Sequence, residues 1–572
     1  MAAQRSARRW LAARRPALES LAESAGALDH EDVERLLALP LPAIDEFAGL
    51  LGLSRWVAAG YERVVVDTAP SGHFLELVRT PGLLADLAES FDTARAEARI
   101  VRARLSGRSS RDASDRFIDE LDRLARGLAS LLRDPSRTTV RWVLVPESMS
   151  LDETRDGIAA LVDAGLTVEE IIVNRWPQRR ARTRAGERQR RRVLATLARE
   201  SPEIPLRLLP SLEEEPRGRA ALLSFGQLLV TPTRPARRSP GPAERREDKP
   251  RPRVPGFGIA AMAQVFSAEV RLLLVTGKGG VGKTTSAAAL ALVAASAQGA
   301  ATLRPVRLIS VDPAHSLADV LRLPLDDRWR IVPPIVAKSD TGRRARRQRA
   351  DLRARELSAD ATWRRWRRQL DAVLARDPAA AAAWSELLGT PEGFPEIAAA
   401  FEIAATLDAH PEALLIVDCP PTGHALRLIA APALAVEWIH AGLSTLLKYR
   451  QIAPLGPFAD WLLHLAQSLT RLRDLLRDRA ASATVVVTRP GAVVEAETRR
   501  LLRRLQREAT PAAALITIQP RRRRAADMPE TTARRSTAME PCAIIAAPAC
   551  DPPPLGSAEL LDWVETWNAP AQ

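Results

Sequence analysis

Residues 272–285 read LLLVTGKGGVGKTT: an apolar run enters a glycine loop that carries two lysines and ends in paired threonines. Fitted to G-x-x-x-x-G-K-[ST], the loop gives Gly277, Gly282, Lys283 and Thr284, with Lys278, Gly279, Gly280 and Val281 between and Thr285 after. These residue types suit a nucleoside triphosphate. Glycines let backbone N–H groups curl around phosphates, Lys283 reaches the β/γ oxygens, the Thr284 hydroxyl holds Mg²⁺, and a following helix adds the positive charge of its N-terminus. Lysine is scarce in the chain, and two of its five (Lys249, Lys278, Lys283, Lys338, Lys448) lie in this loop. Arginine supplies nearly all other cations, so the loop calls for a compact ammonium that a guanidinium does not replace.

Two carboxylates complete the candidate site. The apolar run 306–311 leads into DPAHSLAD (312–319), and 413–417 leads into DCPPTGHALRL (418–428). An aspartate ending a parallel strand beside the loop strand points into the crevice at the carboxyl edge of the sheet. Pro313 and His315 follow the first aspartate, and Gly423 and His424 the second. Each histidine is either part of the phosphate site or a ring satisfied within the fold.

The elements needed to position these residues are those of an α/β protein. Strands are expected near 61–67, 139–146, 169–175 and 204–210, then near 271–276, 306–311, 413–418, 484–489, 513–518 and 543–548. Helical stretches such as 115–133, 151–164, 286–295, 361–376 and 379–388 separate them.

The chain also repeats itself. VVVDTAPSGHFLELVRTP (64–81) matches LIVDCPPTGHALRLIAAP (415–432) at a constant offset of 351, pairing Asp67 with Asp418 and His73 with His424. Farther on, Pro146, Glu153, Thr154 and Arg155 match Pro490, Glu497, Thr498 and Arg499. Two units follow: 1–230, an incomplete first half; 231–265, a Pro/Arg-rich linker; and 266–572, a half with the glycine loop and helical inserts at about 340–410 and 433–480. The first copy opens on MAAQRSARRWLAARRPALES and carries neither a glycine loop nor a DPAH segment. Removing the loop strand from the interior of a sheet leaves backbone groups needing partners. Two explanations stand, a start upstream of this sequence or a first half decayed into a scaffold that offers Asp67 and His73; the first is expected.

Lys278, directly after the first glycine, resembles the signature lysine of the deviant Walker A ATPases, the group of nitrogenase iron protein, MinD/ParA proteins and arsenite-pump ATPases. The DPAHSLAD and DCPPTGHALRL segments are similar to the two switch segments of arsenite-pump and tail-anchored-protein targeting ATPases. The resemblance covers nearly the whole chain and implies two P-loop NTPase-type units, with mostly parallel sheets flanked by helices, using ATP and Mg²⁺. It implies that Lys278 reaches across the interface of a pseudo-dimer or homodimer and stabilises charge there, with Lys283 beside it. Asp312 would orient the attacking water, and Thr284, Asp312 and Asp418 would line the metal position. Gly423 and His424 would sense the γ-phosphate. Cys419 and Pro420 stand where the family has Thr and Ala, which stiffens that switch. For adenine, Val173-Asn174-Arg175 resembles the base-reading VNR of the family, whereas the matching second-half stretch reads Ile516-Thr517-Ile518-Gln519-Pro520.

The resemblance implies the ATPase subunit of an arsenite or anion export pump, acting on an integral membrane subunit. Alternatives are a nucleotide-switched carrier of hydrophobic, tail-anchored clients and a ParA/MinD-like positioning ATPase. Neither insert contains cysteine, so the thiolate set that binds a metalloid is absent there. Net charge is +14, yet aromatics are only 4%, which argues against a base-stacking nucleic-acid surface. Three cysteines form no even disulfide framework, and no apolar run reaches membrane-spanning length, so a cytoplasmic protein is expected.

Overall fold

A computed structural model describes residues 44–68, 113–146, 148–176, 184–212, 216–230, 265–296, 304–312, 316–333, 351–358, 394–448, 456–519, 542–550 and 552–568, with short pieces within 9–17, 78–92 and 361–368. The first half contains α1 (Ile44–Ala58), α2 (Ala113–Arg133), β1 (Val140–Leu144), α3 (Ser148–Asp163), β2 (Val168–Trp176), α4 (Arg184–Glu200), β3 (Leu206–Pro210) and α5 (Gly218–Val230). Its strands form a parallel sheet in the order β1-β2-β3. Helix α2 buries Phe117, Ile118, Leu121, Ala125, Leu128 and Leu132, an i, i+3/i+4 stripe that explains its helical state.

The second half contains β4 (Leu272–Gly277), α6 (Lys283–Ala295), β5 (Val306–Ser310), α7 (Leu317–Leu321), β6 (Arg330–Ile331), β7 (Leu352–Glu356), α8 (Phe394–Ala409), β8 (Leu414–Asp418), α9 (Thr422–Lys448), α10 (Gly456–Arg477), β9 (Ser482–Thr488), α11 (Ala492–Arg507), β10 (Ala512–Gln519), β11 (Ala543–Pro548) and α12 (Gly556–Val564). Its sheet runs β11-β10-β9-β4-β8-β5-β7-β6, and only the β6–β7 pairing is antiparallel. Helices cover both faces: α6 and α12 pack on one, and α8, α9, α10 and α11 contribute to the core on the other. A strand buried on both faces should be continuously apolar, and β4 reads LLLVTG with every residue buried. Replacing one of its leucines with alanine would cost about 2–5 kcal/mol. The alanines of α6 serve close approach, because Ala287, Ala288, Ala289 and Ala291 are each fully buried against that sheet.

Three findings depart from the expected elements. Residues 61–68 form no strand and expose Val65 and Val66. By the repeat this segment corresponds to β8, whose ladder partners are β4 and β5; among the described residues the first half has no counterpart of either. Strand β7, which alternates arginine with smaller residues in LRARE, was invisible to the apolar-run criterion and lies inside the stretch assigned to an insert at 340–410. In that stretch too, α8 is core, burying Ala399, Ala400, Phe401, Ile403, Ala404 and Leu407. The linker at 231–264 and the expected helix at 379–388 lie outside the described residues. Among the described residues, no helix is long and apolar enough to cross a membrane.

Candidate functional site

Register aligns the strand ends that build the site. Asp418 stands opposite Val275 on β4 and opposite Ser310 on β5, so three parallel strands finish at one level. The glycine loop leaves β4 at that level, and Asp312 follows β5 by two residues. Backbone geometry requires the loop's glycines. Gly277 has φ +154°, and a Cβ there would lie 2.2 Å from the Val487 carbonyl oxygen; Gly280 (φ +72°) and Gly282 (φ +98°) are also left-handed, and Gly282 caps α6. Val281 is buried, and its carbonyl accepts a 3.3 Å hydrogen bond from Arg489 Nε. Gly279 lies beside Pro421, whose Cγ would be 3.9 Å from an added Cβ, so the loop meets the start of the second switch segment.

Lys283 is buried, with Nζ 3.6 Å from Asp312 Oδ2. Thr284, also buried, accepts a 3.1 Å hydrogen bond from Ser316 Oγ, and Thr285 follows in the first turn of α6. Asp418 is fully buried, and Ser310 Oγ donates to its Oδ2 at 3.0 Å. Its Oδ1 makes no hydrogen bond, although the Thr284 hydroxyl is near enough to favour the charged carboxylate. Burial, then the charge of Asp312, push the Asp418 carboxyl up to about 7, against the opposing pull of Lys283, Thr284 and Ser310. A buried carboxylate oxygen without a donor, facing a second carboxylate and a threonine hydroxyl, is an all-oxygen set that fits a hard divalent cation such as Mg²⁺.

The remaining predicted residues divide. Pro313 and His315 lie outside the described residues. Gly423 and His424 open α9, and His424 Nδ1 is 2.7 Å from Glu396 Oε1 on α8, a contact between a mostly buried ring and a buried carboxylate. That partner favours the reading of His424 as a ring satisfied within the fold. Burial pushes the Glu396 carboxyl up, but the bond and charge of His424 and the charge of Arg427 outweigh it and leave it below the usual carboxylate range. Sequence reasoning gave Glu396 no role. It missed Ser310 and Glu356 entirely. Glu356, buried on β7, accepts the Ala318 N–H at the start of α7 at 2.8 Å and so anchors the helix that follows Asp312. Lys278 is 33% exposed, and its Nζ lies 3.3 Å from Glu497 Oε2 within the same half.

The anion-transporting ATPase family matches residues 11–231 and 270–520, one segment in each half. The chain belongs to this family. Among relatives of this family member, "ATPase ARSA1" of Chlamydomonas reinhardtii is 26% identical over 542 residues, covering 88% of this chain and 65% of the relative. "ATPase GET3B" of Arabidopsis thaliana is 29% identical over 272 residues, covering 43% of this chain and 63% of the relative. "ATPase GET3" of Chaetomium globosum is 27% identical over 209 residues, with coverages of 34% and 62%. The chain thus spans less than two thirds of the length of each of these relatives.

Proposed function

We propose that this anion-transporting ATPase family member hydrolyses ATP with Mg²⁺ at the second-half site and drives export of an anion. The observation that carries the reading is the convergence of Lys283, Thr284, Asp312 and Asp418 at the common end of β4, β5 and β8. Backbone N–H groups of the loop and the N-terminus of the 13-residue α6 receive the β- and γ-phosphates, and Lys283 adds its charge to them. Lys283 leaves Asp312 to do so, which frees that carboxylate to orient water in line with the γ-phosphate. Thr284, Asp312 and Asp418 are the residues that would hold Mg²⁺. When bound, the ion neutralises charge developing on the phosphate oxygens. Ser310 keeps the Asp418 carboxylate oriented towards that position. Lys278 offers a second cation for transition-state charge on an opposing half, in a pseudo-dimer or homodimer.

A second reading, a carrier for hydrophobic segments of membrane proteins, is supported by the cysteines. Cys419 is buried, and desolvation, then the Asp418 charge, hold its thiol well above the usual range, so it is no soft thiolate ligand; Cys542 is also raised by burial. The relatives named GET3 stand beside this reading. Steady-state Mg-ATP hydrolysis by the purified chain, with Lys283→Ala as control and arsenite or antimonite titrated in, tests both. Metalloid stimulation that vanishes in the variant supports the pump, unstimulated turnover moves the reading to the carrier, and equal turnover by both proteins refutes the site.

A further inference from the structure

One carboxylate joins the glycine loop to the second switch segment. Glu497 Oε2 lies 3.3 Å from Lys278 Nζ, while Glu497 Oε1 accepts a 3.0 Å hydrogen bond from the hydroxyl of Thr422, the first residue of α9. The platform beneath Glu497 is firm. Its neighbour Thr498 is buried, sits 2.8 Å from the Thr488 hydroxyl at the end of β9 and donates to the Val494 carbonyl, and Leu501, Leu502 and Leu505 of the same helix are buried. Lys278, on its long stem, is the mobile partner, and an ammonium resting on Glu497 is not free to lie on a phosphate of an opposing half.

We propose that Glu497 is a positioning residue for the ATPase reaction: it holds Lys278 inside its own half until the segment starting at Thr422 moves. The proposal rests on the ATPase reading given above. With Thr422 in place both carboxylate oxygens are engaged and the side chain is pinned. Once that segment shifts with the phosphate, Oε1 loses its donor, the carboxylate turns, and Lys278 is released. One carboxylate therefore makes availability of the signature lysine depend on the state of the switch.

Two measurements on the full chain test this. The first uses no nucleotide: reductive methylation followed by peptide mapping reads Lys278 reactivity, normalised to Lys249, and only five lysines need be followed. Glu497→Gln should raise Lys278 labelling by about threefold and Thr422→Val by about twofold, the scale of an ion pair about one third exposed. The second is steady-state hydrolysis: Glu497→Gln should raise kcat by about threefold, leave the KM for ATP within about twofold, and have no effect in a Lys278→Ala background. Equal Lys278 labelling in wild type and Glu497→Gln overturns the proposal, as does a kcat change that persists without Lys278. Raised labelling in a chain that never hydrolyses ATP upholds the hold on Lys278 and overturns the ATPase reading instead.

Discussion

Replacing Asp418 with asparagine should stabilise the ligand-free chain at alkaline pH while removing its Mg-dependent function. The carboxyl is fully buried and raised from the usual 3.8 to about 7, chiefly by desolvation and then by the Asp312 charge. An acid whose folded pKa lies above its unfolded pKa binds its proton more tightly in the folded state, so raising the pH destabilises the fold. The loss begins near pH 4, grows up to about pH 7 and is complete above it, at roughly 4 kcal/mol. Between pH 5 and pH 8.5 the part still to be lost is about 2–3 kcal/mol. Asparagine does not titrate, so the stability difference between Asp418→Asn and wild type should move by that amount in favour of the variant. For a domain of this size that is about 3–5 °C in melting temperature. The assay is thermal unfolding of both proteins in EDTA at the two pH values, repeated at pH 8.5 with Mg-ATP. There the wild type should gain more stability than the variant, because the ion binds the charged carboxylate. A difference that is the same at both pH values would refute the reasoning, since Asp418 would then titrate alike in folded and unfolded chains.

Gly277→Ala should abolish nucleotide binding and lower stability by about 2–4 kcal/mol, because the new Cβ meets the Val487 carbonyl at 2.2 Å on a left-handed backbone; fluorescent-nucleotide titration and urea unfolding check both. Glu356→Ala should cost about 1–2 kcal/mol and lower kcat more than nucleotide affinity, since the freed Ala318 N–H loosens the helix after Asp312; an unchanged kcat would remove Glu356 from the account.

Legibility followed the chemistry of each residue. The glycine loop could be read because its backbone demands, positive φ at Gly277, Gly280 and Gly282, admit few residue types. Asp312 and Asp418 could be read because each ends an apolar strand. Ser310 and Glu356 could not, because their roles depend on register: Ser310 faces Asp418 across β5 and β8, and Glu356 reaches α7 from a strand that carries no apolar run. The expected strand at 61–67 failed for a related reason. Three consecutive valines favour extended backbone, but a strand exists only with neighbours, and pairing is not written in the segment itself.

That failed strand has a practical consequence. Residues 61–68 present Val65 at 86% and Val66 at 49% exposure, with backbone groups outside any ladder. Exposed, β-branched and outside any ladder of the described residues, the segment is a template on which a second molecule can lay down the same sequence. Aggregation during expression and concentration would be seeded there. Charge at Val65 is the substitution that would keep the protein in solution without touching the phosphate site.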